Sequence, residues 1–281
     1  MKIIKRLFHI ILCILIILQT SCYSGSKKIT NSQKVNVYFI NVGQGDSILI
    51  QYKGINMLID AGPSYNSKKL VSFLKSHNVK KLDYVIATHP HEDHIGSMDS
   101  IIKKFKIVKF YAPKVVTDTN TFKSMITELK KKNLKINVAK HGVIINLDTF
   151  TSMEFLSPIS DNYQNLNNYS AVVLLKHRDN SFLFTGDAEK LIEMELLSNN
   201  VNVRADVIKV SHHGSNTSTS EDFIDKVKAK FAVISCGLGN DFGHPHEQVL
   251  KTLRSRDIIC YRTDTHGNLL LQSDGKNISR R

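Results

Sequence analysis

The chain has 281 residues, of which 42% are hydrophobic and 22% are charged, and its formal net charge is +13. These values are typical of globular proteins and exclude disorder, collagen and coiled coil as the main state. The length allows one large domain or two small ones. The excess of Lys and Arg favours an anionic partner such as nucleic acid, phospholipid or teichoic acid, and a lysine-rich composition without functional meaning is the alternative.

The first 22 residues predict an export signal. Basic residues lie within Met1 to Arg6, residues 7–18 form an almost unbroken apolar run, and Cys22 follows a Thr-Ser pair. This order is typical of a secretory signal, and the run is shorter than the ~20 residues that a transmembrane helix needs. Cys22 resembles the lipidated cysteine of a bacterial lipoprotein, although Gln19 stands where an aliphatic residue is usual. We therefore expect an exported protein held at the outer face of the membrane by a lipid anchor, with an uncleaved signal anchor or plain secretion as the alternatives.

Residues 23–34 are small and polar and predict a flexible linker. After the linker, alternation, apolar runs and helical spacing predict strands and helices in a mixed order without a second linker. We predict strands over residues 35–41, 47–52, 55–60, 82–88, 109–111, 153–156, 171–177, 181–185, 206–210, 231–235, 258–261 and 269–271. We predict helices over residues 67–77, 95–104, 188–197, 221–228 and 247–254. This order favours a single α/β sandwich over residues 35–274.

Two cysteines, Cys236 and Cys260, follow the signal. An exported chain permits a disulfide between them. Both lie in apolar, strand-like runs, which favours the interpretation that they are buried free thiols. The sequence has no CxxC pair and hence no thiolate zinc site.

A histidine-rich loop follows the predicted strand 82–88. It reads His89-Pro90-His91-Glu92-Asp93-His94, so three imidazoles and a carboxylate fall within six residues. Imidazole and carboxylate ligands suit Zn, Mn and Fe. The alternating His89 and His91 are expected to point at one metal, and Asp93 and His94 at a neighbouring one.

Two further apolar strands end in potential metal ligands. Strand 181–185 runs into Gly186-Asp187, where a carboxylate that bridges two metals is expected. Strand 206–210 runs into Ser211-His212-His213-Gly214-Ser215, which offers a histidine to the second metal. An isolated Gly-Asp pair is usually a turn. Three strands that end in ligand residues nevertheless indicate one metal centre.

These motifs resemble the metallo-β-lactamase superfamily and, more narrowly, the hydrolase domain of ComEC-type competence proteins, which mediate DNA uptake. The resemblance extends over most of residues 35–274. Besides the three strand ends, it rests on the segments 41–47 (NVGQGDS), 243–246 (GHPH) and 261–264 (YRTD). It implies a four-layer αββα sandwich with a dinuclear site for two divalent metal ions, Zn or Mn.

The resemblance also implies roles for individual residues. His89 and His91 are expected to hold the first metal, Asp93 and His94 the second, and Asp187 to bridge them. His212 is expected to complete the second site, with His213 as the competing choice. Where many members of the superfamily place another histidine on the first metal, this chain offers Asn168, which is expected to be a weak ligand or a hydrogen bonder to substrate.

Five other residues have two interpretations each. His244 and His246 are candidates to contact substrate oxygen or to protonate the leaving group, and the alternative for their segment is a helix entry. Asp46 is a candidate to line the groove, and the alternative is a tight turn in which it is the partner of a ligand histidine. Arg262 and Asp264 are expected to form a structural ion pair, and the alternative is a contact with phosphate.

We therefore predict an exported, metal-dependent hydrolase that activates water at two metals. A phosphodiesterase or nuclease that acts on DNA in a competence-type role is the first hypothesis, with Asp93, His244 and Asn168 as catalytic residues. One alternative is a phosphodiesterase on another substrate, such as cell-wall phosphorylcholine. The other is a non-catalytic metal-binding domain of the same fold. The sequence indicates no protein partner.

Overall fold

The computed structural model describes residues 33–281. The predicted signal, residues 1–22, and nearly all of the predicted linker, residues 23–34, lie outside the described residues. Within the described range the chain forms two β-sheets, which face each other and carry helices on their outer surfaces. In this part of the chain, no helix has the length and apolar character needed to cross a membrane.

Sheet A has eight strands in the described range, in the order β15-β14-β1-β2-β3-β4-β5-β6. They are β1 (Val35–Phe39), β2 (Ile48–Tyr52), β3 (Ile55–Ile59), β4 (Lys81–Ile86), β5 (Lys106–Ala112), β6 (Ile136–Val138), β14 (Leu269–Ser273) and β15 (Ile278–Arg280). Strands β3 to β6 are parallel to each other, and β1, β2 and β3 alternate in direction.

Sheet B has seven strands in the described range, in the order β13-β12-β11-β10-β9-β8-β7. They are β7 (Ile144–Asp148), β8 (Thr151–Phe155), β9 (Val173–His177), β10 (Asn180–Phe184), β11 (Val207–Lys209), β12 (Phe231–Ile234) and β13 (Ile259–Arg262). Strands β10 to β13 are parallel, so their carboxyl ends meet at one edge of the sheet.

Eight α-helices cover the sheets in the described part. They are α1 (Ser67–Ser76), α2 (Glu92–Ile95), α3 (Met98–Lys104), α4 (Asn120–Lys131), α5 (Lys190–Ser198), α6 (Glu221–Val227), α7 (Glu247–Arg254) and α8 (Thr263–His266). Short 3-10 helices lie at Ser64–Asn66, Leu166–Tyr169 and Ser211–Gly214.

Three apolar layers hold the sandwich together. The central layer joins the inner faces of the two sheets, where the ring of Tyr111 stacks on Phe155 with centroids 5.3 Å apart. Helices α1, α3 and α4 bury residues such as Leu70 against the outer face of sheet A, and α5, α6 and α7 bury residues such as Phe223 against sheet B. The predicted four-layer αββα sandwich is therefore confirmed.

The hairpin between β2 and β3 forms where the sequence predicts it. Lys53 and Gly54 both have positive φ, 48° and 79°, as the tight two-residue hairpin turns require. Alternation in β1 produces alternating burial, so its apolar side chains enter the central layer. Most other predicted strands and helices lie within a few residues of the observed bounds.

The predicted helix 95–104 is confirmed over Met98–Lys104 (α3) but not at its start, because α2 ends at Ile95 and the chain turns at Gly96-Ser97. A Cβ atom on Gly96 would lie 2.4 Å from the backbone nitrogen of Ser64, so the loop before α1 packs directly against this break. The Ser97 hydroxyl donates a hydrogen bond to the carbonyl of Pro63 at 2.7 Å. The break therefore brings the loop after β3 next to the histidine-rich loop.

The sequence analysis missed helix α4 and strands β6, β7 and β15. Helix α4 is polar overall, although it buries Met125 and Leu129, and it begins after Thr119, whose hydroxyl oxygen accepts a hydrogen bond from the amide of Phe122. All three side chains of β6 are exposed, so this strand lacks the alternation that reveals strands. Strand β15 pairs with β14 beyond residue 274, the predicted end of the domain.

Candidate metal centre

The candidate metal centre lies where the carboxyl ends of strands from both sheets meet. The loop after β4 carries His89, His91, Asp93 and His94, the turn after β10 carries Asp187, and the turn after β11 carries two histidines. The three strand ends that the sequence singled out are thus brought together. We call this side of the sandwich the metal-centre edge.

Four side chains form a tight group at this edge. One donor atom from each of Asp93, His94, Asp187 and His213 lies within 4.8 Å of the others. The Asp187 Oδ2 atom is 3.2 Å from His94 Nε2 and 3.3 Å from His213 Nε2. The Asp93 Oδ2 atom is 3.1 Å from His213 Nε2.

Hydrogen bonds outside the group fix how its two imidazoles are oriented. His94 Nδ1 lies 2.8 Å from Asp60 Oδ2, and His213 Nδ1 lies 2.9 Å from the carbonyl of Ser235. Each Nδ1 therefore carries a proton as donor, so each Nε2 would direct a lone pair into the group once a cation displaces the Nε2 proton. The two Nε2 atoms are only 3.3 Å apart and face two carboxylates, which is a donor set that fits a cation at its centre.

The pKa shifts within the group also favour a bound cation. Burial alone would raise the pKa of Asp187, but His213 and His94 hold it well below its usual range. Burial alone would lower the pKa of His213, but the Asp187 carboxylate raises it to about 10. The Asp187 Oδ1 atom is buried and has no hydrogen-bond partner among the described residues. The pocket therefore favours positive charge, and its residues fit a divalent metal.

His89 and His91 lie next to the tight group, and the ring centroid of His89 is 4.1 Å from that of His94. His89 Nε2 is 3.0 Å from His91 Nδ1 and 3.9 Å from Asp187 Oδ2. Burial and the neighbouring His94 hold the pKa of His89 well below its usual value, so this imidazole is neutral. His89 thus lies beside the Asp187 carboxylate and His91 beside His89, so both rings are candidates to hold a second cation.

The two adjacent histidines after β11 point in different directions. His212 and His213 both have left-handed backbone conformations, with φ values of 49° and 54°. His213 is buried in the tight group, whereas His212 lies at the rim with 21% of its side chain exposed. The structure thus places His213, and not the expected His212, beside Asp93. His212 Nε2 remains 3.8 Å from Asp187 Oδ2.

Asn168 lies beneath the turn that carries Asp187. Its side-chain oxygen accepts a hydrogen bond of 3.2 Å from the amide of Glu189, and its side chain is buried. The neighbouring Asn167 has its side-chain nitrogen 3.5 Å from His212 Nε2. Asn168 therefore supports the loop of the bridging carboxylate, and its predicted contact with substrate stays a prediction.

His244 and His246 have different surroundings. His244 packs against the rings of His212 and His213, and Phe242 stacks on it with centroids 5.6 Å apart. Burial and these two histidines lower the pKa of His244 to about 4, so it is neutral at pH 7. His246 precedes helix α7 and accepts a hydrogen bond from the amide of Asn216 through Nδ1.

The sequence analysis missed two buried residues of this centre, Asp60 and Lys209. Asp60 accepts hydrogen bonds from the amide and hydroxyl of Thr88 besides its contact with His94. Lys209 Nζ is fully buried, 2.5 Å from Asp46 Oδ2 and 2.9 Å from the carbonyl of Gly186. Two features of the sequence could have indicated them: Asp60 follows an apolar strand directly, and Lys209 interrupts another apolar strand.

Asp46, the candidate partner of a ligand histidine, is held mainly by that lysine. Its carboxylate lies 3.8 Å from His94 Nδ1 and 3.7 Å from His213 Nδ1, so it faces both rings from behind. Its backbone amide donates to the carbonyl of Asp93 at 3.1 Å. A Cβ atom on Gly45 would lie 2.2 Å from that carbonyl. Only glycine therefore allows the loop to approach the metal loop so closely.

Two further expectations concern an ion pair and the cysteines. Arg262 and Asp264 pair with each other, with Arg262 Nε 3.0 Å from Asp264 Oδ1, as expected for a structural pair. Cys236 and Cys260 are free thiols, and Cys236 is buried as expected, whereas Cys260 is only half-buried.

The chain belongs to the metallo-beta-lactamase superfamily, whose family model matches residues 40–238. Its curated relatives include ComE operon protein 3 of Bacillus subtilis, 32% identical over 256 residues, which cover 85% of this chain and 33% of the relative. Competence protein ComA of Neisseria gonorrhoeae is 28% identical over 241 residues, covering 85% and 32%. Recombination protein 2 of Haemophilus influenzae is 27% identical, covering 82% and 28%. The chain thus spans about a third of the length of these relatives.

Solved structures share the fold at low sequence identity. CmlA, a diiron beta-hydroxylase from Streptomyces venezuelae, superposes with a TM-score of 0.60 at 12% identity, over 87% of this chain and 55% of CmlA. Igni18, a metallo hydrolase from Ignicoccus hospitalis, gives a TM-score of 0.56 at 16% identity, over 84% and 98%. This likeness concerns the fold alone.

Proposed function

We propose that the protein is a metal-dependent phosphodiesterase that acts on nucleic acid. The observation that carries the proposal is the double donor set around Asp187. His89 and His91 would hold one divalent ion on one side of it, and Asp93, His94 and His213 would hold the other. Two bound metals would supply a deprotonated water at neutral pH and neutralise charge on phosphoryl oxygens.

The residues around the donor set would keep it rigid during the reaction. Asp60 and the carbonyl of Ser235 hold the two imidazoles of the second site in one orientation. Lys209 fixes Asp46 behind them. Asp93 is 31% exposed, so it is positioned to orient a water molecule at the mouth of the site. His244 is neutral at pH 7 and would donate or accept a hydrogen bond at a substrate oxygen.

The rim of the site supports a nucleic-acid substrate. Phe242 is 65% exposed while it stacks on His244, and Tyr65 on another loop of the metal-centre edge is 72% exposed. Exposed aromatic rings beside a phosphodiester site are suited to stacking with bases, which contributes about 1–3 kcal/mol per base. The competence proteins among the relatives support the same substrate.

Phosphorylcholine esters are the second candidate substrate. Phe242 favours them as well, because an exposed aromatic face binds quaternary ammonium groups. Hydrolysis of a choline phosphodiester without cleavage of DNA would select this candidate.

The test is hydrolysis of labelled single-stranded and double-stranded DNA by the purified chain with Mn or Zn. We expect metal-dependent cleavage that the Asp187→Asn variant loses while its circular dichroism spectrum stays unchanged. Asp118→Asn, a change of an exposed carboxylate on the same edge, is the matched control. Full activity in Asp187→Asn would contradict the two-metal assignment, and bound metal without cleavage of any phosphodiester would favour a binding protein.

We further propose that the protein acts outside the cell, anchored by a lipid on Cys22. The support is the order of basic, apolar and small residues before this cysteine. Incorporation of radiolabelled palmitate into the wild-type protein, and not into Cys22→Ser, is the expected result. Recovery of both proteins unlabelled in the culture medium would indicate plain secretion instead.

A further inference from the structure

Charge is separated between the two ends of the sandwich. The loops at the metal-centre edge are rich in carboxylates. In the loops of this edge that precede α5 in the chain, the basic residues are Lys114 and Lys140. The opposite edge, which we call the far edge, contains the amino ends of the parallel strands and is rich in Lys and Arg. Hydrogen bonds between Asp179 and Gly275 and between Tyr52 and Asp148 join the two sheets there, so the far edge is one continuous surface.

One basic cavity of the far edge lies beside the start of β5. Its volume is about 340 Å³, and its charged lining residues are all lysines. Apolar side chains from Phe105, Ile107 and Leu134 line the same cavity. The charged lining residues are Lys103, Lys104, Lys106 and Lys132. Among these lysines, Lys103 pairs with Asp99, and the others are exposed to solvent.

A second basic cavity, of about 300 Å³, lies beneath the amino ends of β10 and β11. Five basic and two acidic side chains line it. The basic ones are Lys176, Arg178, Arg204, Lys228 and Lys230. Together, the two cavities extend the positive charge across the far edge of both sheets.

Exposed apolar side chains accompany this positive charge. Phe150, in the turn between β7 and β8, is 56% exposed, and the guanidinium of Arg178 lies 4.5 Å from its ring centroid. Ile259, at the start of β13, is 52% exposed. Basic residues interspersed with exposed aromatic and aliphatic groups are typical of surfaces that rest on a bilayer.

The chain also enters the described domain at the far edge. Strand β1 is parallel to β3 and begins at Val35, so the segment that precedes it is joined to the domain on this side. An anchor that precedes this segment would tether the domain on the same side as the basic surface.

We propose that the far edge is a docking surface for anionic phospholipid headgroups and that the metal centre faces away from the membrane. A nucleic-acid strand is the less favoured partner for this surface. The basic cavities lie at the opposite end of the sandwich from the metal centre, so a strand bound in them would not reach it directly. Lipid docking leaves the metal-centre edge open to its substrate, and the proposal does not depend on which substrate that is.

The test compares binding of the full chain to vesicles of phosphatidylcholine with and without phosphatidylglycerol. The basic-face variant is Lys104→Gln/Lys106→Gln, and the matched control is Lys114→Gln/Lys140→Gln, which removes two exposed lysines from the other edge. Residues 1–32 are identical in every variant, so only the preference for anionic vesicles is compared. Each basic residue near an anionic surface is worth a factor of about five in binding, so the loss of two should lower this preference about 30-fold in the basic-face variant.

We expect the control to keep the preference and high salt to abolish it in every protein. Hydrogen exchange on anionic vesicles should slow at residues 103–106 and 228–230 and not in the loops of the metal-centre edge. Equal preference in the wild type and the basic-face variant would overturn the proposal, as would an equal loss in the control. Unchanged vesicle binding together with weaker oligonucleotide binding in the basic-face variant would assign the far edge to nucleic acid instead.

Discussion

At the scale of single residues, the metal centre depends on charges that are buried behind its ligands. Lys209 is fully buried, and its ammonium group contacts the Asp46 carboxylate, which in turn faces the rings of His94 and His213. Burial alone would lower the pKa of Lys209, but Asp46 and Asp187 raise it, so this lysine stays charged. Lys209 therefore supplies a fixed positive charge that balances part of the negative charge of the Asp46 and Asp187 carboxylates.

Replacing Lys209 with Met should therefore be strongly destabilising. Removing one partner of a buried ion pair leaves an uncompensated charge and costs about 3–5 kcal/mol of unfolding free energy. Urea denaturation of the metal-free protein measures this. The double variant Lys209→Met/Asp46→Leu should recover much of the loss, because no unpaired charge remains. If the loss of unfolding free energy in the double variant equals the sum of the losses in Lys209→Met and Asp46→Leu, the two residues are not coupled.

His244 should affect turnover more than metal content. It packs on His213 but lies outside the group of donor atoms that converge within 4.8 Å. His244→Ala is expected to lower kcat by about 10²-fold or more, the usual scale for a group that assists proton transfer. Metal stoichiometry by atomic absorption should stay at the wild-type value. Parallel loss of metal and activity would make His244 a ligand or a folding residue.

At the scale of elements, the turn after β11 determines where His212 and His213 point, and helix α5 supports the loop that follows this turn. Two consecutive left-handed residues at Ser211–Gly214 direct His213 inward and His212 to the rim. Helix α5 supports the loop that follows this turn through Glu193, whose carboxylate accepts hydrogen bonds from the amides of Thr219 and Ser220. Burial raises the pKa of Glu193 in this position.

Replacing Glu193 with Ala should loosen this loop and destabilise the fold. Two amides at the start of α6 would lose their acceptor, and an unsatisfied buried donor costs about 1–3 kcal/mol. Thermal unfolding of the variant checks this. The control is Glu221→Ala, where an exposed pair with Arg256 is lost and a change of about 0–1 kcal/mol is expected. A similar loss in both variants would contradict a special role for Glu193.

At the scale of the whole molecule, the sandwich has its own apolar core, so the fold does not depend on metal. The three apolar layers include fully buried side chains such as Phe39, Phe155 and Phe182. A ligand that binds the native state alone still raises stability by about 2.7 kcal/mol at a free concentration of 100 times its Kd. Metal should therefore raise Tm without creating the fold.

We expect Tm to rise with added Mn or Zn and to return to the metal-free value with chelator. The far-ultraviolet circular dichroism spectrum should be the same in both states. His213→Ala should remove most of the rise, whereas His177→Ala, a histidine buried at the far edge beside Ser273, should keep it. Loss of the folded spectrum on chelation would show that the metal is needed for folding, contrary to our expectation.

The sequence by itself determined most of the elements and the composition of the centre. Alternation of apolar and polar residues, and short apolar runs, predict strands that have one or both faces buried. The ligand residues come directly after the strands that carry them. His89, His91, Asp93, His94 and Asp187 are recognisable for this reason. Strand β6 is not, because its exposed side chains carry no periodic signal.

Only the tertiary structure decided which groups meet across the two sheets. The choice between His212 and His213 depends on backbone dihedrals that sequence spacing does not specify. Asp60 and Lys209 belong to the centre because strands distant in sequence end side by side, which local patterns cannot encode. The separation of charge between the two edges has the same cause, since strand direction places the loops at one end or the other.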